Sequence, residues 1–210
     1  MSKTKSIAAL AAALTIGGYA ALAQRPEASM SFFVTSANPG SGGDLGGLEG
    51  ADAHCESLAA AVGAGGKTWR AYLSTSTVNA KDRIGRGPWY NAMGVKIADS
   101  VADLHSDNNE ISAETALNEK GAQVNFIGGP QPLQHDILTG TNADGTAAAM
   151  TCNNWTDSTA NSTAMVGHHD RMGRNPGVNS WNAVHPSQGC TMESFSATGG
   201  AGMFYCFATD

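Results

Sequence analysis

The apolar positions of this chain fall mostly into short runs, and only one run outside the N-terminus has helical spacing. Leu48, Ala51, Cys55, Leu58 and Val62 recur at intervals of three and four residues. That stripe predicts an amphipathic helix over 48–62, with Gly63 as its C-cap. The other runs are β-branched or aromatic and read as strands: 31–35, 69–75, 135–140, 150–155, 163–168 and 199–208. Within 69–75, Ala71 and Leu73 alternate with Arg70 and Tyr72. Shorter extended pieces are expected at 89–92 and 95–98. Asp144-Gly145, after the 135–140 strand, is a turn signal. Between 99 and 134 the pattern is weak, which predicts long loops with a short helix. There is no internal repeat and no linker.

The N-terminal apolar run, 7–23, differs in kind. Lys3 and Lys5 precede it, Gly17 and Gly18 interrupt it, and Ala21-Leu22-Ala23 is a small-x-small cleavage site. These are the marks of a secretory signal peptide over 1–23, followed by a short polar leader over 24–30 and one domain over 31–210. No second stretch is long and apolar enough to span a bilayer.

Removing the signal changes the charge picture. Two of twelve basic residues go with it, leaving ten against eighteen acidic residues, a net charge of −8. With no Lys/Arg cluster to offset this, neither nucleic acid nor anionic membrane is expected as a partner. The 26 glycines and the sparse charge point to a loop-rich exported domain rather than a helical bundle. Localisation is read as secreted or periplasmic.

Cys55, Cys152, Cys190 and Cys206 are an even set with no CxxC spacing, so a disulfide framework is expected rather than a zinc cluster or redox pair. Four cysteines allow three pairings, and the spacing does not choose among them.

The order of strand, cysteine-bearing helix, strand, long loops, cysteine-bearing strand and terminal cysteine-bearing strand resembles the C-type-lectin-like fold, closest to endostatin-like domains. Trp69-Arg70-Ala71-Tyr72-Leu73-Ser74-Thr75 is similar to their second-strand motif. Leu138-Thr139-Gly140 through Thr151-Cys152-Asn153-Asn154-Trp155-Thr156, and Gly189-Cys190 with Met203-Phe204-Tyr205-Cys206-Phe207, are similar to their closing segments. The resemblance covers 32–208. It implies an α+β fold: a mixed antiparallel sheet, one or two helices and long loops. It also implies nested disulfides, Cys55–Cys206 and Cys152–Cys190. Chain-entropy estimates for such bridges are about 5 and about 4 kcal/mol.

The sugar-binding members of that class use calcium, through Glu-Pro-Asn or Gln-Pro-Asp and then Trp-Asn-Asp. Here Gln131-Pro132 runs into Leu133, and the later segment reads Asn153-Asn154-Trp155-Thr156, so the usual calcium-sugar site is not expected. Zinc and calcium are the two cofactors the motifs raise, and the sequence requires neither. The densest polar group is Gly167-His168-His169-Asp170-Arg171. His168, His169 and Asp170 are the candidate metal ligands. Adjacent histidines in a strand face opposite ways, so only one of the two joins a common site, with His135, Asp136 or His185 supplying the rest. Trp181, His169, Asp170 and Asn182 are the candidate ligand-binding residues, with Trp181 as a surface stacking ring. No G-x-S-x-G occurs, and no carboxylate pair stands out among Glu110, Glu114 and Glu119.

The functional expectation is an exported binding domain that recognises a surface glycan or an extracellular or envelope protein. Its recognition face is expected on the loops 99–134 and 160–187. The alternatives are a metal-assisted hydrolase using His168 or His169, and a structural component of an envelope or matrix.

Overall fold

The computed structural model describes residues 29–173 and 179–210. The signal-peptide expectation therefore lies outside the described residues. Among those described, no helix is long and apolar enough to cross a membrane.

The last strand organises the molecule. β8 (Gly200–Ala208) is the longest strand and is buried at all but one position. A continuous apolar run like this is what a strand covered on both faces requires. Its side chains separate with period two. Phe204, Cys206 and Ala208 enter one core, and Met203, Tyr205 and Phe207 enter the other.

β1 (Phe32–Val34) pairs antiparallel along one edge of β8, with Phe33 opposite Cys206. Along the other edge lie β2 (Trp69–Ala71), antiparallel, and β5 (Asp136–Leu138), parallel. β6 (Met165–His168) and β7 (His185–Pro186) extend the sheet outward from β5, giving the order β1-β8-β5-β6-β7. A separate small hairpin is formed by β3 (Trp89–Tyr90) and β4 (Lys96–Ala98). The 99–134 stretch is loop apart from the one-turn α2 (Val101–Leu104), capped by the Ser100 side chain.

The predicted helix is α1 (Gly47–Ala61), ending at Gly63 with φ +82°. It buries Ala51, Cys55 and Ala59 against the first core. Cys55 is bonded to Cys206 and Cys152 to Cys190, and no described cysteine is free. Both bridges belong to the α1 side of the sheet. The opposite core is roofed largely by loops and pinned by indole and phenol groups. Trp89 Nε1 donates to the Ala208 carbonyl at 3.0 Å, Trp181 Nε1 to the Leu104 carbonyl at 3.1 Å, and the Tyr205 hydroxyl to the Trp181 carbonyl at 2.9 Å.

Among the described residues the structure is thus mixed α+β, with four helices, a mixed sheet and two disulfides. Four helices exceed the one or two expected, because the Thr191 side chain caps a further helix over 192–198. A second element also corrects the sequence expectation. The 150–155 segment is not a strand: α3 (Cys152–Trp155) is a turn in which all four residues have positive φ, from +46° to +67°. Asn at two of these positions tolerates the left-handed region. The buried Cys152 bridge and the Trp155 indole, donating to the Ser74 carbonyl at 2.7 Å, anchor the other two. Propensity favoured a strand, and tertiary anchoring overrode it.

α4 (Met192–Thr198) ends at Gly199, whose φ is +104°. Gly199 and Gly200 then pass directly beneath the start of β5. A Cβ on Gly199 would sit 2.8 Å from Leu133 and 3.1 Å from the His135 ring. A Cβ on Gly200 would sit 3.0 Å from the Asp136 Cβ. Glycine at both positions leaves room for the side chains of His135 and Asp136.

Candidate metal centre

Sheet register assembles the site. Asp136 on β5 lies directly opposite His168 on β6, and Val166, two residues before it, lies opposite His185 on β7. Cross-strand partners on one face bring side chains to within contact. His135 immediately precedes β5, and its carbonyl accepts from the His169 amide at 3.2 Å. The result is three imidazoles around one carboxylate oxygen. Asp136 Oδ1 is 3.1 Å from His135 Nε2, 3.1 Å from His168 Nε2 and 3.7 Å from His185 Nε2. His168 Nε2 and His185 Nε2 are 3.1 Å apart. The ligand atoms of His135, Asp136 and His168 all lie within 4.8 Å of one another.

The protons on these rings follow from their other nitrogens. His168 Nδ1 is 2.6 Å from the Met172 carbonyl, and His185 Nδ1 is 3.0 Å from the Pro186 carbonyl. Carbonyl oxygens only accept, so each Nδ1 carries the hydrogen. His135 Nδ1 faces the Asp170 carboxylate at 3.3 Å, again an acceptor. Every neutral ring therefore turns an Nε2 lone pair inward. Those lone pairs meet a carboxylate that is 2% exposed, neither of whose oxygens has an aligned hydrogen bond. Lone pairs converging on a buried anion repel one another, and a proton on one ring or a metal cation among them removes the conflict. Tetrahedral Zn–N bonds of about 2.0–2.1 Å set neighbouring ligand atoms about 3.3 Å apart, close to the spacings here. This His/Asp cluster has the geometry to hold a metal ion.

The surrounding groups orient the ligands. The Asp170 carboxylate, besides facing His135, accepts from the Met172 amide at 3.0 Å and the Ile127 amide at 2.9 Å. Burial raises its pKa, but these contacts outweigh burial and bring it down to about 2. It stays ionised and holds the His135 tautomer, the usual office of a carboxylate behind a metal-bound histidine. Burial lowers the His168 pKa, and the Asp136 carboxylate, the Met172 carbonyl and Asp170 together more than offset this, leaving it raised. The His135 and His168 rings stack with centroids 4.1 Å apart.

The cluster opens on one side. His185, whose side chain is 35% exposed, and His135 and His168 form the floor of a cleft of about 720 Å³. Ile127, Leu133, Met172 and Val184 wall it, with Gln188 and Thr198 adding polar edges. The two stretches expected to carry recognition, 99–134 and 160–187, both contribute walls. No lysine, arginine, aspartate, glutamate or indole is among the described residues lining it.

The candidate residues of the sequence reading divide sharply. His168 is in the cluster. His169 is not: it is fully buried on the other side of the strand, with Nε2 3.2 Å from the Asn125 carbonyl, and burial lowers its pKa. Asp170 touches His135 rather than the cluster centre. Trp181, expected at the surface, is 3% exposed and packs on Tyr72 with centroids 4.8 Å apart. Asn182, 1% exposed, donates to the Tyr72 hydroxyl at 2.9 Å. Both are core groups, because the 179–184 segment folds inward over the sheet instead of outward. Glu119, weighed as a catalytic acid, is buried and accepts from the Ser36 amide and hydroxyl. The ligands that the sequence reading left open are His135, Asp136 and His185. The available signal was a second His-Asp dipeptide at the head of a predicted strand.

No protein-family model matches the chain, and no curated protein sequence matches it.

Proposed function

We propose that this protein is an exported binding domain of the C-type-lectin-like class, endostatin-like in its organisation, whose ligand site is built on a transition-metal ion rather than on calcium. One observation carries the reading: three imidazole Nε2 atoms converge on the buried Asp136 carboxylate, neither of whose oxygens has an aligned hydrogen bond, and the three rings line an open cleft. Imidazole-rich sets suit zinc, copper or nickel, whereas calcium wants six or more oxygens. The nested disulfides and the order of elements support the lectin-like assignment, and the bridges support an oxidising compartment.

Binding is favoured over hydrolysis by the composition of the cleft. A metal-assisted hydrolase needs a base or acid within hydrogen-bond reach of the attacking water. Among the described cleft residues the only titratable groups are the histidines that would be metal ligands themselves.

Metal analysis of the purified protein, after loading with zinc, copper or nickel and removal of excess, tests this directly. One tightly held ion per chain is expected, no retention of calcium, and loss of the ion in His135→Ala and His168→Ala. His169→Ala should keep it. A protein that retains none of the three metals would overturn the reading.

A further inference from the structure

The cleft over the histidines does not end at its own walls. Leu133, Ala197 and Thr198 line both it and a second, shallower groove of about 640 Å³, which runs along α4 past Gln131, Gln134 and Ser196 to Glu193. Sharing these three walls, the two adjoin as a channel lined by the histidine cluster in one part and by Glu193 in the other. α4 has seven residues, about 10 Å of helix, enough to flank about three residues of extended chain.

We propose that this channel takes the C-terminal end of a polypeptide whose last side chain is apolar. The inference rests on the metal reading above. With the ion held by His135, Asp136 and His168, the terminal carboxylate would supply a fourth donor. Ile127, Leu133, Met172 and Val184 would enclose the last side chain beside it. Gln131, Gln134 and Ser196 would meet the peptide groups further along. Charge sets the direction: Glu193 repels a carboxylate at its end, and the ion attracts one at the other. No lysine or arginine in either groove competes for the anion.

The same walls argue against a glycan. Pyranose rings are held by flat aromatic faces, and neither groove has an aromatic side chain other than imidazole among its described residues. All four tryptophans are buried, none more than 3% exposed. The ring that a sugar site would have used, Trp181, is part of the core.

The test uses zinc-loaded protein and three probes: a dye-labelled hexapeptide ending in leucine with a free carboxylate, the same peptide amidated at its C-terminus, and a chitin oligosaccharide. The free acid should bind, amidation should weaken it about tenfold or more, as losing one charge-assisted contact does, and EDTA should abolish it. Ala197→Trp, at an exposed position in the channel, should keep its zinc and lose peptide affinity by about tenfold. Ala197→Asp, which places a like charge in the path, carries the same test should the bulkier variant fail to take up zinc. Equal binding of acid and amide, binding of the oligosaccharide alone, or no binding by fully loaded protein each overturns the peptide inference while leaving the metal centre standing. A protein that takes no zinc sinks both.

Discussion

The α1 corner and the histidine corner of this sheet are closed by opposite means. At the first, Cys55 and Cys206 join helix to strand covalently, Cys152–Cys190 lies in the same core, and the polar groups at the edge are paired. Asp52, for example, takes Arg83 at 2.7 Å and the Ala71 amide at 2.9 Å. At the second, three imidazoles face one carboxylate, and neither Asp136 oxygen has an aligned hydrogen bond. Both corners cross-link segments far apart in sequence. One does so with bonds internal to the chain, and so is complete. The other gathers imidazole and carboxylate lone pairs on one another. A corner finished by its own side chains serves stability; the one left with inward lone pairs is where we propose that a metal ion binds.

The largest way to break the comparison is to cut the covalent corner. Cys206→Ser should lower unfolding free energy by about 2–5 kcal/mol. Cys55→Ser should do the same, and the double variant little more, since the two losses are one loss. Denaturant titration checks it, and fully additive losses would show the two are not acting as a pair. The metal should then strengthen the other corner reversibly: zinc at a hundredfold excess over Kd should add about 2.7 kcal/mol to the wild type. Asp136→Asn should gain nothing from zinc, and in EDTA it should be at least as stable as wild type. A carboxylate held by real donors would instead cost about 1–3 kcal/mol on removal. A clear loss of stability in the metal-free variant contradicts the account of Asp136 as an unpartnered ligand.

The smallest effect concerns Asp170. Its folded pKa, about 2, lies below the ordinary 3.8, so the unfolded chain takes up the proton first as pH falls. The stabilisation is complete above the ordinary carboxylate range and is lost as pH drops from about 4 to about 2, an effect of about 1–2 kcal/mol. Asp170→Asn should flatten that part of the stability–pH curve. It should also weaken zinc binding by about 10–100-fold, the usual cost of removing a group that orients a metal-bound histidine. An unchanged zinc affinity would reduce Asp170 to a loop anchor.

Much of the stapled corner could be read from the chain because its signals are local. The 48–62 stripe and the 199–208 run carry their periodicity within a few residues, and the helix and central strand follow within one or two positions. The bridge pairing came from resemblance, not from spacing. The histidine corner was half legible. His168 closes β6 and His169 opens the turn after it, so the two part at the strand end and not by alternation within a strand. Trp181 and Asn182 sit in a Gly/Asn-rich stretch that reads as surface loop. Their burial depends on Leu104, Tyr72 and Tyr205, all more than twenty residues away.

The sequence by itself determined the mixed α+β class, the one long helix, the central apolar strand and the absence of a calcium-sugar motif. Each of these is a pattern of side-chain chemistry at short range. Only the tertiary structure decided the candidate metal centre. The register of β5 against β6 sets Asp136 opposite His168, that of β6 against β7 brings in His185, and the glycines at 199 and 200 leave the space for His135 and Asp136. A one-residue slip in either pairing would turn these side chains to the other face. That register is set by buried partners across the whole sheet, and no window of sequence contains it.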